Sequence, residues 1–140
     1  RESIHNLRYW NSENYLGFGP GSSSLINGKR MKNISSLKKY IQLSKNKVSP
    51  DGLYSEISTI SEEEKMIEYI MLNLRLNKGI EHNDFNQKFN KIFIFKFKEI
   101  LKELNNNFLV ESNSESTFLT NKGKLLSDYI FSKFTEEISL

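Results

Sequence analysis

The chain has 140 residues, a formal net charge of +3 and 37% hydrophobic residues, with ten Phe and six Tyr to supply a core. It has no cysteine, which excludes disulfides, thiolate nucleophiles and Cys-ligated zinc or iron–sulfur clusters within it, and two histidines do not suggest a His-rich metal site. No apolar run approaches the roughly 18 residues of a membrane span, no signal peptide is visible, and the mild charge argues against a nucleic-acid binder.

The first residue is not Met, and Arg1 to Trp10 reads as mid-domain sequence, so a fragment of a longer protein is expected. Ile4, Leu7, Tyr9 and Trp10 alternate with polar residues in an extended segment or loop. His5 has no acid or base partner beside it and reads as a loop-orienting side chain rather than a ligand.

Asn14 to Ser24 is the most distinctive stretch. Tyr15-Leu16 reads as the end of a short strand. Gly17, Gly19 and Gly21 surround Phe18 and Pro20, and Ser22, Ser23 and Ser24 follow. A strand ending in a Gly/Ser turn can present N–H groups to an anion, or simply connect a sheet to the next layer. Next, Asn27-Gly28 between Ser24-Leu25-Ile26 and Lys29 to Lys32 signals a hairpin with a basic second arm. Ser35 or Ser36 should cap a helix to about Asn46, with Leu37, Tyr40, Ile41 and Ser44 on one face. Ser49-Pro50-Asp51-Gly52 reads as a turn within a linker, the expected boundary before a helical unit.

That unit opens at Ser61 to Glu64, a capping box at the positive helix end. Met66, Ile67, Ile70, Met71 and Leu74 fall on one face, as core rather than metal ligands, and Gly79 should end the helix. Asn83 or Asp84 should cap a short helix carrying Phe85 and Phe89. A longer helix is expected over 92–105, burying Phe93, Phe97, Ile100, Leu101 and Leu104. Its surplus Ile92, Ile94 and Phe95 suggest a second buried surface or a partner contact. Phe108 to Glu111 and Ser116 to Leu119 form a hairpin turned by Ser112 to Glu115. Thr120 caps a last helix with Leu125, Leu126, Tyr129, Ile130 and Phe134. Three helices, a hairpin and a helix resemble a winged helix. Glu99, Glu103, Glu111 and Glu115 would repel phosphates, so the unit reads as a packing module and no nucleic-acid partner is expected.

The residues His5-Asn6-Leu7, Tyr9-Trp10 and Tyr15-Leu16-Gly17-Phe18-Gly19 resemble the end of the barrel in the oxygen-independent coproporphyrinogen III oxidase-like radical SAM family. Arg30 to Asn33, Tyr40, Glu62 to Glu64, Leu74-Arg75-Leu76, Gly79-Ile80, Leu119-Thr120 and Lys122-Gly123 match in the same order. The spacing is most similar to the HemW branch, regarded as heme chaperones. The resemblance implies an α+β, mostly helical fold. It places the end of the barrel in 1–34, a helix and linker in 35–60, and a winged-helix-like HemN-type C-terminal domain in 61–140. It implies a cytoplasmic full-length protein whose partial TIM barrel holds a [4Fe–4S] cluster on three cysteines and binds S-adenosylmethionine, with heme or a porphyrin as further ligand.

None of those cluster ligands lies in this chain, which should bind no cofactor and be inactive without its partner, the N-terminal barrel. The resemblance implies that Gly17, Phe18, Gly19, Gly21, Ser22 and Ser23 approach the cofactor cavity. No catalytic residue and no metal ligand is assigned. Ser22-Ser23-Ser24 stands where many HemW-like proteins carry a histidine, which weakens a heme-ligating role for this segment. A stand-alone winged-helix nucleic-acid or protein-binding module is the alternative. Heme binding by the fragment itself, through His5, His82 or a Met, is a third reading.

Overall fold

The computed structural model describes residues 14–46 and 50–139, so the readings for 1–13, His5 included, lie outside the described residues. The fold is α+β, about half helical, with two small antiparallel sheets. The chain forms two compact units, one ending at Ser61 and the other starting at Glu62.

In the first unit, β1 (Ser23–Ile26) and β2 (Lys29–Asn33) form the expected hairpin. Asn27 and Gly28 turn it at φ 50° and 74°, the left-handed pair that a two-residue hairpin demands. Asn14 clamps the turn, its Oδ1 accepting from the Asn27 N–H at 2.9 Å. Tyr15 pairs with Leu25 as an isolated antiparallel bridge. A third strand, β3 (Tyr54–Thr59), follows a short 3-10 turn (Pro50–Leu53) and pairs with β2, Met31 opposite Ile57. The stretch read as linker therefore holds an edge strand. Its last five residues are exposed, so its sequence lacks the alternation that marks a half-buried strand. Helix α1 (Leu37–Lys45) starts at Ser36, whose hydroxyl accepts from the Lys39 N–H. The apolar face expected for it is not buried: Leu37 and Ile41 are exposed, and only Tyr40 is tucked in part.

The second unit has the order α2 (Glu62–Leu74), β4 (Ile80–Glu81), α3 (His82–Phe89), α4 (Phe93–Lys96), α5 (Lys98–Asn106), β5 (Val110–Ser112), β6 (Ser116–Leu119), α6 (Asn121–Leu125) and α7 (Ser127–Ile138). The sheet order β4-β6-β5 and the helices around it are winged-helix-like. Two of the expected helices are broken. Phe97 (φ −107°, ψ 23°) separates α4 from α5, and Leu126 (φ −112°, ψ 26°) separates α6 from α7. Neither break has a Gly or Pro. Each re-phases the following helix so that Ile100, Leu101 and Leu104, or Ile130, Phe131, Phe134 and Ile138, face the core. Of the apolar residues assigned to the last helix, Leu125, Leu126 and Tyr129 are exposed, while Ile130 and Phe134 are buried. Helix α2 also ends earlier than expected, at Leu74, and Gly79 turns the chain into β4 with φ 70°. The cap of α3 is Glu81, without a side-chain bond, and Asp84 sits in its first turn.

The core is aromatic. Phe85, Phe93, Phe97 and Phe134 are at most 1% exposed and pack on one another, edge to face in the Phe85–Phe93 and Phe97–Phe134 pairs, with ring centroids 5.0 Å and 5.1 Å apart. Each buried ring contributes about 1.5–3 kcal/mol, and each edge-to-face pair about 0.5–1.5 kcal/mol more.

Candidate functional site

The Gly-rich turn is shaped by one side chain from the end of β2. Asn33 is 5% exposed, and its Nδ2 donates to the Gly19 carbonyl (2.9 Å), the Ser22 hydroxyl (2.9 Å) and the Gly17 carbonyl (3.4 Å). Its own N–H donates to the Ser22 carbonyl at 2.8 Å. The Ser22 hydroxyl in turn donates to the Gly19 carbonyl at 2.8 Å.

The amides of the turn are consumed in the same way. The Gly17 N–H donates to the buried Ser24 hydroxyl (3.0 Å), that of Gly19 to the Tyr40 hydroxyl (3.2 Å), and that of Gly21 to the Ile34 carbonyl (3.1 Å). The Ser22 N–H closes the turn on the Gly19 carbonyl at 3.4 Å. Of the two readings of this stretch, N–H groups free for an anion are not found at these four residues. Their donors hold the turn together.

The glycines are needed for two different reasons. Gly19 (φ 98°) and Gly21 (φ 71°) lie in backbone regions that L side chains rarely adopt. At Gly17 an added Cβ would sit 2.2 Å from the Ser23 carbonyl oxygen, so that position is closed by contact. The space beside Gly19 is open, with nothing within 4 Å of an added Cβ. Phe18, 81% exposed, projects from the turn, and Ser23 is exposed at the start of β1. The structure thus brings Gly17, Gly19, Gly21 and Ser22 together around Asn33. It leaves Phe18 and Ser23 outward. Asn33 and Tyr40 were missed as organisers of this turn. The available signal was a polar residue ending β2, where burial would favour an apolar one.

A second concave feature lies wholly in the second unit. A cleft of about 610 Å³ is lined by residues that include Lys78, Glu81, His82, Asp84, Glu115 and Phe118. His82 is 8% exposed, and its Nε2 lies 2.9 Å from the Thr117 hydroxyl, which is 2.8 Å from that of Ser112. Its ring stacks on Phe93 at 5.5 Å. Burial pushes the imidazole below its ordinary value, opposed by a hydrogen bond to the Ser114 backbone. Nearby, burial, reinforced by Asp84 and Glu81, pushes the Tyr69 phenol up to about 12. Both groups are neutral at pH 7, and His82 finds its partner within the fold. His82 fastens the wing to α3, Tyr69 of α2 packs edge to face on Phe85 and Phe89 of α3, and the cleft has the chemistry of a structural seam.

The fit of the implied cofactors follows from these residues. The sequence offers no thiolate for a cluster. Among the described residues no group of three or more His, Asp or Glu side chains is placed to hold a metal ion. No helix among them is long and apolar enough to cross a membrane. What the turn offers is surface: the Phe18 ring and the open side of Gly19.

The winged-helix-like unit is of a recognised class. Residues 60–126 match the HemN C-terminal domain. The whole chain is 34% identical over 137 residues to the heme chaperone HemW of Bacillus subtilis (strain 168), covering 98% of this chain and 35% of that protein. It is 31% identical over 133 residues to the heme chaperone HemW of Lactococcus lactis subsp. lactis (strain IL1403), covering 95% of this chain and 34% of that one. The fold is similar to that of coproporphyrinogen III oxidase (HemN) from Escherichia coli, described as a radical SAM enzyme. The TM-score is 0.69 at 21% identity, over 88% of this chain and 28% of that one. Residues 60–126 thus carry the match to the HemN C-terminal domain, and the chain as a whole is similar to HemW proteins. It spans about a third of the length of the curated relatives it matches.

Proposed function

We propose that the chain is the C-terminal part of a radical SAM protein of the HemN/HemW type, acting in the cytoplasm in heme biosynthesis or heme delivery. The observation that carries this reading is the similarity to HemW over nearly the entire chain, including the Gly-rich turn. In this reading 1–34 closes one side of an upstream barrel, 35–60 connects, and 61–140 packs as the HemN-type domain. The [4Fe–4S] cluster is held by cysteines outside this chain, and this chain takes no chemical step with it.

The turn's part is to wall the cavity for S-adenosylmethionine and for a porphyrin or heme. Gly17, Gly19, Gly21 and Ser22 set the course of the backbone, and Ser23 lies beside them. Phe18 supplies an aromatic face for a flat ring system to lie against, and the absent side chain at Gly19 lets a ligand come close. The contact works through shape, since the donors of Gly17, Gly19, Gly21 and Ser22 are already used.

The test joins this chain to its upstream sequence. After anaerobic reconstitution, a brown cluster and reductive cleavage of S-adenosylmethionine are expected. A full-length protein that assembles no cluster removes the radical SAM reading. A Phe18→Ala variant with unchanged affinity for both S-adenosylmethionine and heme removes the turn from the cavity wall.

A further inference from the structure

The hairpin turn of the first unit carries a chemistry that its structural role does not use. Asn27-Gly28 is the one place in the chain where an asparagine precedes a glycine. For any asparagine amide, the backbone nitrogen of the next residue is a nucleophile held close by the chain itself, and five-membered ring closure gives the pair a high effective concentration. A side chain on that next residue obstructs the approach. Gly28 has none, and nothing lies within 4 Å of the place an added Cβ would take. Asn27 is exposed to water. Among the described residues the Gly28 N–H donates to no protein group, while the Gly28 carbonyl accepts from the Ile60 N–H at 3.0 Å. The nucleophile is uncommitted.

One contact opposes ring closure. The side-chain amide of Asn14 meets Asn27 twice. Its Oδ1 accepts from the Asn27 N–H at 2.9 Å, and its Nδ2 donates to the Asn27 Oδ1 at 3.3 Å. Both bonds come from one planar group, so the Asn27 amide is held on the side of its own N–H, away from the nitrogen that follows it. The register, Ile26 opposite Lys29, and the φ values of 50° and 74° fix the peptide between the two residues. Both bonds to Asn14 are exposed, so this clamp opens at a lower cost than the unit unfolds.

We propose that Asn27-Gly28 is a site of spontaneous backbone modification and that Asn14 guards it. When the clamp opens, the Gly28 nitrogen bonds to Asn27 Cγ and gives up its proton. The bond from Cγ to Nδ2 breaks, Nδ2 leaves as ammonia with that proton, and a cyclic imide remains. Water then opens the imide. Attack at Cγ yields aspartate, and attack at the main-chain carbonyl yields isoaspartate. One water is consumed, one ammonia is released, and nothing is oxidised or reduced. In the iso form the main chain runs through Cβ and Cγ, one atom longer, with a new carboxylate next to Lys29. A two-residue left-handed turn cannot take that atom and keep Ile26 opposite Lys29, so the change loosens the hairpin in one direction only. The site lies wholly within the first unit and does not depend on the cofactor reading.

The test is peptide mapping by mass spectrometry of the 140-residue chain held at mildly alkaline pH, where the attacking nitrogen is more often deprotonated. The peptide holding Asn27 should gain about 1 Da ahead of every other asparagine peptide, with its iso form resisting a protease specific for aspartate. Asn14→Ala should raise the rate about fivefold. Asn14→Asp, which keeps an acceptor for the Asn27 N–H but drops the donor to its Oδ1, should raise it less. Urea should raise it further, and Asn27→Gln, whose longer side chain closes a larger ring, should abolish it. Exchange of the Leu25 amide, bonded to Tyr15 at 2.9 Å, should quicken as the iso form accumulates. Exchange of the Asn33 amide in fresh protein shows whether each variant has kept the first unit folded. Three results overturn the proposal: no mass gain at Asn27 even in urea; one rate shared by the wild type and both folded Asn14 variants; or a rate that urea leaves unchanged, in which case the fold guards nothing.

Discussion

Gly17 and Gly19 stand two residues apart in one turn, and replacing each with alanine should injure the protein to different degrees. At Gly17 an added Cβ would meet the Ser23 carbonyl oxygen at 2.2 Å, whereas ordinary contact begins at 3.4 Å. Relief needs a movement of roughly 1.2 Å between the turn and the first residue of β1. That movement breaks the bond from the Gly17 N–H to the Ser24 hydroxyl and strains the one from Asn33 to the Gly17 carbonyl. Ser24 is fully buried, so a lost partner there costs about 1–3 kcal/mol, and the second bond about 1 kcal/mol more. At Gly19 the added Cβ meets nothing, and the cost is the strained backbone at φ 98°, about 1–2 kcal/mol.

Hydrogen exchange reads this ordering directly. The amides of Leu25 and Asn33, bonded to Tyr15 and Ser22, report on the first unit, while those of Leu101 and Leu109 report on the second. Gly17→Ala should speed exchange at Leu25 and Asn33 on the order of 100-fold, Gly19→Ala on the order of tenfold, and neither should change Leu101. Equal or greater loosening by Gly19→Ala would refute the argument that contact, rather than backbone conformation, closes Gly17.

Three more outcomes follow from the same structure. Asn33→Ala removes three donated bonds from a buried amide, and the first unit should lose about 2–3 kcal/mol, read as faster exchange at Leu25. Gly79→Ala combines φ 70° with a Cβ that would sit 2.1 Å from the Thr117 carbonyl oxygen, and should lower the unfolding free energy of the second unit by about 3 kcal/mol or more, read as a lower denaturation midpoint. For His82, burial lowers the folded-state affinity for a proton, so the unfolded chain binds more protons below pH 6.5. This contribution to stability is complete above pH 6.5 and is lost as pH falls through the lower, folded-state value. His82→Gln should flatten that part of the urea-denaturation profile against pH, and a wild-type profile without the slope would contradict the buried neutral ring.

What the sequence made legible was local chemistry. Asn27-Gly28 defined the hairpin, Ser36 and Thr120 capped helices, and the spacing of Phe93, Phe97, Ile100, Leu101 and Leu104 marked a buried face. What it hid depends on partners distant in the chain. The breaks at Phe97 and Leu126 follow from how the aromatic core must fill, and no glycine or proline announces them. Strand β3 is an exposed edge, and β4 has two residues, too few for a period to show. At the candidate site the three glycines were plain, but Asn33 and Tyr40 reach it across 14 and 21 residues, and only the folded chain makes them its organisers. Likewise, the partner of His82 is Thr117, 35 residues on, which nothing in the local sequence around His82 announces.

The internal bonding of the Gly-rich turn also bears on time. A loop that must order around its ligand adds a conformational step to association and an entropic cost to affinity. Here Asn33, Ser24 and Tyr40 hold Gly17, Gly19 and Ser22 in place within the chain itself. A molecule reaching Phe18 and the open side of Gly19 meets a surface already formed. Its arrival should follow a single exponential whose rate rises linearly with concentration, with no slow phase of closure behind it.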